Sequence, residues 1–137
     1  MINKVVLIGN VGNHPVTAHL EGGTVVTSFS LATSETYKNK AGEKVKSTEW
    51  HNVVLWRGLA EVAEKWLTKG QLIYIEGKLR TRSWNDKEGN KRYTTEIYGD
   101  VLQMLGKKIE SEQTQNYEKP NNEYNSNFTN EPDDLPF

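Results

Sequence analysis

Leu59-Ala60-Glu61-Val62-Ala63-Glu64-Lys65-Trp66-Leu67 is the stretch on which the fold turns. Its apolar residues fall at 59, 62, 63, 66 and 67, a helical spacing, with charged residues between them. Lys69-Gly70 follows as a stop signal. The spacing predicts a helix whose apolar face, Trp66 included, enters the core. Everything on either side reads as strand. Upstream, residues 48–56 alternate, with Val53 and Leu55 inward and Trp50, Asn52, Val54 and Trp56 outward. Residues 24–33 alternate too, with Val25, Thr27, Phe29 and Leu31 on one face and Ser28 and Ser30 on the other. Residues 4–8 are a short run of Lys-Val-Val-Leu-Ile that suits a strand buried on both faces. Downstream, a strand at about 71–82 puts Ile73, Ile75 and Leu79 inward. A turn at 85–90 leads to a last strand from about Arg92 to Leu105, interrupted near Gly99. The expectation is an all-β domain: an OB-fold, a five-stranded Greek-key barrel with one helix between strands three and four. A sandwich of similar size would give the same pattern.

The charges are unevenly placed. The chain of 137 residues has a formal net charge of -1. Residues 1–106 carry 14 Lys and Arg against 11 Asp and Glu, a net of +3. Residues 107–137 carry 3 against 7, a net of -4. Beyond Gly106 the chain is rich in Asn, Gln, Glu and Ser, with Ile109 and Leu135 its only aliphatics. Such a segment buries too little apolar surface to offset its ordering entropy, so a disordered C-terminal tail is expected. The expected organisation is a domain at 1–106, a linker at 107–132 and an acidic tip at 133–137.

Several chemistries are excluded or disfavoured. There is no cysteine, so disulfides, cysteine–zinc sites and thiol catalysis are out. His14, His19 and His51 lack metal-ligand spacing, and no metal or other cofactor is expected. No apolar run approaches the roughly 18 residues of a membrane span. Met1-Ile2-Asn3-Lys4 does not open an apolar signal stretch, and a cytoplasmic location is expected. Gly9-Asn10-Val11-Gly12 lacks the spacing of a dinucleotide loop and reads as a turn. No nucleophile elbow, phosphate-binding lysine loop or carboxylate pair is visible, so no enzyme is expected.

Three features carry chemistry. Alternation places Lys78, Arg80, Arg82 and Trp84 on one strand face. Cations for phosphates and a ring for a base suit a single nucleic-acid strand; a solvated strand edge guarded by charge looks the same. Trp50 and Trp56 share the outward face of their strand, and Tyr37 is read as part of the Lys-rich loop 38–46. With Val53 and Leu55 already on the core side, the two tryptophans need a ligand or a partner. The third is Asp133-Asp134-Leu135-Pro136-Phe137. Acids precede two apolar anchors, and the proline lowers the entropy lost on docking. That suits a small apolar pocket with a basic rim; an acidic solubilising tail is the bland alternative.

The stretches Asn3–Asn10, Leu31–Glu35, Thr48–His51, Leu59–Ala63, Tyr74–Arg82 and Arg92–Glu96 closely resemble the bacterial single-stranded DNA-binding protein (SSB) family. They run collinearly over residues 1–105, and the acidic Leu-Pro-Phe tip matches the family's tail separately. The resemblance implies an OB-fold homotetramer, with single-stranded DNA wrapped over its surface. It implies protection of DNA in replication, recombination and repair, and a nucleoid-associated location. Tyr37, Trp50, Trp56 and Trp84 match the family's stacking aromatics. Lys38, Lys40, Lys69, Arg80, Arg82 and Arg92 fall on or near its basic positions. Asp133, Asp134, Leu135, Pro136 and Phe137 match the tip that recruits partner enzymes. His51 falls close to subunit contacts, and the strand carrying Lys4, Val6 and Ile8 matches one used in subunit pairing. Asn52 and Ser83 replace basic residues of many members, and Arg57-Gly58 departs from a pairing with the basic residue one later.

Two rivals stand beside this expectation. One is a related binding module, an RNA-binding OB protein or a primosomal restart component. The other is a small β-barrel enzyme acting on nucleotides.

Overall fold

A computed structural model describes residues 1–106. The expected linker and tip, residues 107–137, lie outside the described residues. The elements are β1 (Val5–Val11), β2 (Val16–His19), a 3-10 turn (Glu21–Gly23), β3 (Val25–Lys38), β4 (Lys44–Trp56), α1 (Gly58–Trp66), β5 (Leu72–Asn85) and β6 (Lys91–Leu105). The sheet order is β1-β5-β6-β4-β3-β2, and β1 also pairs with β3, which closes a five-stranded barrel. This is the expected OB architecture. The short β2, missed in the sequence, shifts the count, so the helix falls between β4 and β5.

Alternation built the core as expected on three strands. Phe29, Leu31, Val53, Leu55, Ile73 and Ile75 are buried together. α1 closes one end through Ala60 and Ala63, with Leu67 just past its end. Thr27 is fully buried, and its hydroxyl donates to the Ala60 carbonyl at 2.9 Å, which ties helix to barrel.

Five expectations are corrected. Trp66 is 59% exposed, and Val62 is also exposed. The helix turns its small alanines inward because only they allow the close approach that the Thr27–Ala60 bond requires. Leu79 is exposed as well. The ladder shifts register between Glu76 and Gly77, and past that point β5 and β6 run on as a ribbon beyond the barrel wall. β1 is buried on one face only: Val6 and Ile8 are exposed, and nothing among the described residues covers them. Gly9–Gly12 is no turn, since β1 continues through Val11 and pairs with β3 at Asn10 and Val11. Finally, Tyr37 lies on β3 rather than in a loop. The β3–β4 ladder runs unbroken to Lys38–Lys44.

Candidate nucleic-acid interface

The outward face of β3 and β4 is set by register. Ala32 opposes Trp50, Ser30 opposes Asn52, Ser28 opposes Val54, and Val26 opposes Trp56. Small residues therefore floor the space between two tryptophans about 20 Å apart along the strand. Beside them lies a groove of about 440 Å³, lined by Asn13, Ser28, Ser30, Asn52, Val54, Arg82, Thr94 and Glu96. The side-chain oxygen of Asn13 accepts from the Ser30 amide at 2.7 Å and from its hydroxyl at 2.6 Å, which fixes the rim.

The cationic row is present, and β6 decides how each member is held. Lys78 pairs with Tyr98, Arg80 with Glu96, Arg82 with Thr94 and Trp84 with Arg92. The Arg80 guanidinium carbon lies 5.7 Å from the centre of the Tyr98 ring. Tyr98 in turn lies 6.0 Å from Trp56, tilted by 49°. Arg82 Nε donates to Glu96 Oε1 at 3.1 Å. Trp84 Nε1 donates to Thr94 Oγ1 at 2.9 Å, which fixes the plane of an otherwise exposed ring. At the ribbon's end, Arg92 Nε donates to Asp86 Oδ2 at 3.1 Å. Asp86 also accepts from the amides of Glu88 and Asn90. Backbone donation from Asn90, with Arg92 and Glu88 adding, holds the Asp86 carboxyl below its ordinary pKa.

The structure brings Trp50, Trp56, Lys78, Arg80, Arg82 and Trp84 to the outward side of the barrel and its ribbon. Lys38 lies on the Trp50 face of the β3–β4 hairpin by alternation, and Lys40 lies in its turn. Tyr37 is different: it pairs with Val45, which places it on the opposite face from Trp50. Lys69 sits in the turn where the Gly70 amide donates to the Val11 carbonyl at 2.7 Å. That is one residue before Gly12, against which the Trp50 ring rests.

Tyr98, Thr94 and Asn13 were missed in the sequence. Period two from Arg92 through Thr94 and Glu96 points to Tyr98, so that signal was available. Asn13 had none, because its role depends on the β1–β3 contact.

The expected subunit residues separate. Val6 and Ile8 lie on the outer side of β1, on the same sheet face as their β5 partners Glu76 and Tyr74, and Lys4 just precedes the strand. Lys4 Nζ is 3.5 Å from Glu76 Oε1, and the Tyr74 hydroxyl donates to the same oxygen at 2.6 Å. Tyr74's donation, with Lys4 adding, lowers the Glu76 pKa, and the same bond raises that of Tyr74. His51 lies instead on the interior side of β4, its Nε2 2.8 Å from Thr33 Oγ1.

Residues 2–105 match the Single-strand binding protein family. The chain belongs to that family. It is similar to the single-stranded DNA-binding protein 1 of Xylella fastidiosa (strain 9a5c), at 50% identity over 116 residues, 84% of this chain and 85% of that one. Its fold is similar to a Plasmodium falciparum SSB in complex with single-stranded DNA. The TM-score there is 0.70 and the identity 36%, over 77% of this chain and 96% of that one. A deletion mutant of the single-stranded DNA-binding protein from Thermus aquaticus aligns with a TM-score of 0.67 at 30% identity, over 77% of this chain and 51% of that one. Among the described residues, no helix is long and apolar enough to cross a membrane.

Proposed function

We propose that this protein binds single-stranded DNA with little sequence preference and without catalysis. The observation that carries the reading is the outward face itself. Trp50, Trp56 and Trp84 are exposed there beside Lys78 and Arg80. Rings stack on any base and cations take phosphates, so such a face tolerates sequence. The relatives' names and the DNA complex of a similar fold support the same ligand.

In this reading residues 1–106 are the DNA-binding unit, with Lys38, Lys40, Lys69, Arg82 and Arg92 adding phosphate contacts. Tyr37 contributes from the far side of the β3–β4 hairpin, to a strand that passes around it. Chains assemble as a homotetramer, which covers the apolar outer side of β1 at Val6 and Ile8. Residues 107–132 act as a linker, and Asp133–Phe137 dock replication, recombination and repair enzymes on DNA. The protein works at the nucleoid.

The test is a titration with oligo-dT of graded lengths at low and high salt, followed by tryptophan emission. Strong quenching with a defined site size is expected. Unchanged emission with an oligonucleotide long enough to span several subunits would sink the reading, and preference for oligo-U would redirect it to RNA. Deleting Asp133–Phe137 should leave DNA affinity intact and abolish enzyme capture.

A further inference from the structure

Arg57 is the one non-glycine with a left-handed backbone among the described residues, at φ 56° and ψ -123°. Only glycine adopts that region freely. The conformation is imposed from both sides. The Arg57 amide donates to the Val25 carbonyl at 2.8 Å, and its own carbonyl accepts from Glu61 at 3.0 Å, the first turn of α1. The chain's glycine stands one position later, at Gly58, where φ is ordinary. Exchanging the two residues would relieve the strain, yet arginine occupies the strained position.

The side chain gives the fold nothing in return. It is exposed and, among the described residues, makes no ion pair, side-chain hydrogen bond or ring contact. By contrast Arg82 and Arg92 are each held by a carboxylate, and Arg80 lies on Tyr98. Its position does offer a use. Arg57 directly follows Trp56, the ring at the helix end of the outward face. Strain that survives without a structural benefit clusters at functional sites.

We infer that Arg57 is a phosphate-binding residue, which holds the phosphodiester beside the base stacked on Trp56. The inference rests on the single-strand-binding reading above. A guanidinium with no carboxylate partner has no competing charge to give up when a phosphate arrives. The strain at its backbone is the cost of placing that charge at the mouth of the helix turn.

The test compares R57G and R57K with the unaltered full-length protein, by binding of fluorescent oligo-dT across a salt series and by melting at matched concentration. One phosphate contact to a single strand changes the salt slope by about 0.7. R57G should therefore lose about that much slope and bind about fivefold more weakly at 0.1 M salt, with the difference vanishing toward 1 M. It should also melt higher, by about 4–8 °C, because glycine relieves the strain. R57K should keep both the slope and the lower melting point. R57G with unchanged slope and affinity overturns the phosphate contact, and R57G melting no higher overturns the stored strain. If the unaltered protein itself fails to bind oligo-dT, the failure belongs to the functional reading instead.

Discussion

Replacing Gly12 with alanine should weaken DNA binding while sparing the fold. A Cβ at Gly12 would lie 2.2 Å from Cζ3 and 3.0 Å from Cη2 of Trp50, and 2.6 Å from the Ser30 hydroxyl. Ordinary carbon contact is about 3.5–4.0 Å, so the ring must move by roughly 1.5 Å. It can: Trp50 is 60% exposed and nothing among the described residues pins its outer edge. The Ser30 hydroxyl can also turn, at the cost of its bond to Asn13. Gly12 is not among the positive-φ residues, so alanine adds no backbone strain there. It also removes about 0.4–1 kcal/mol of unfolded-state entropy. These terms roughly cancel, and stability should stay within about 1 kcal/mol of the parent.

Binding is another matter, because a ring displaced by that distance no longer meets a base held by its neighbours. Stacking on one ring is worth about 1–3 kcal/mol, so a loss of about 1 kcal/mol, or fivefold, is expected from partial displacement. The assay is anisotropy of labelled oligo-dT, which does not depend on tryptophan emission, run as a double-mutant cycle with Trp50→Ala. If Gly12→Ala acts through the ring, it costs nothing further once the ring is gone. Equal losses in both backgrounds would refute this account, as would full affinity in the single variant.

Other consequences concern the supports of the face. Arg82→Ala leaves the carboxylate of Glu96, only 9% exposed, without its partner. A stability loss of about 1 kcal/mol is expected, at the low end because Arg82 itself is largely exposed, and Glu96→Gln should restore part of it in denaturant melts. Asp86 has a folded-state pKa below its ordinary 3.8, so its support of the β5–β6 turn is full above that value and is lost as pH falls below it. The protection of the Glu88 and Asn90 amides against hydrogen exchange, taken relative to the intrinsic rate at each pH, should fall in that acid range and hold steady above it. Ile8→Asp puts a charge on the bare side of β1, and light scattering should report an assembly smaller than that of the parent; an unchanged mass would remove β1 from the subunit contact.

What the sequence conveyed depended on whether one strand's alternation sufficed. Val53 and Leu55 inward with Trp50 and Trp56 outward follow from period two alone, and so does the row from Lys78 to Trp84. Leu79 obeys the same parity and is nevertheless exposed, because parity cannot say where a strand leaves the barrel. The departure is set by the register shift at Gly77, and a Cβ there would lie 2.2 Å from the Tyr98 carbonyl oxygen. Trp66 misled for a related reason. Its size argued for burial, yet the helix approaches the barrel through Ala60 and Ala63, and closeness favours small residues over large ones. Tyr37 shows the limit most plainly. Its neighbouring lysines suggested a place in a loop, whereas the ladder runs on through it and pairing with Val45 turns it away from the tryptophans. Contacts between distant segments, such as Asn13 with Ser30 or Gly12 with Trp50, have no local signature at all.

The net charge of +3 on residues 1–106 is small for a protein that binds a polyanion. The structure makes it smaller in effect at the face itself. Arg82 and Arg92 are already engaged by Glu96 and Asp86, so a phosphate that recruits them must compete with a carboxylate held at 3.1 Å. Each such exchange releases fewer counterions than an unpaired cation would. Lys78 and Arg80 remain beyond 4.0 Å from any carboxylate among the described residues. Each unpaired cation that meets a phosphate adds about 0.7 to the salt slope on a single strand. The rings lose nothing to salt. On the proposed reading, Trp50, Trp56, Trp84 and Tyr98 supply the part of the affinity that persists when the electrostatic part is screened. A face built this way favours strands whose bases are open to stack over duplexes whose bases are not.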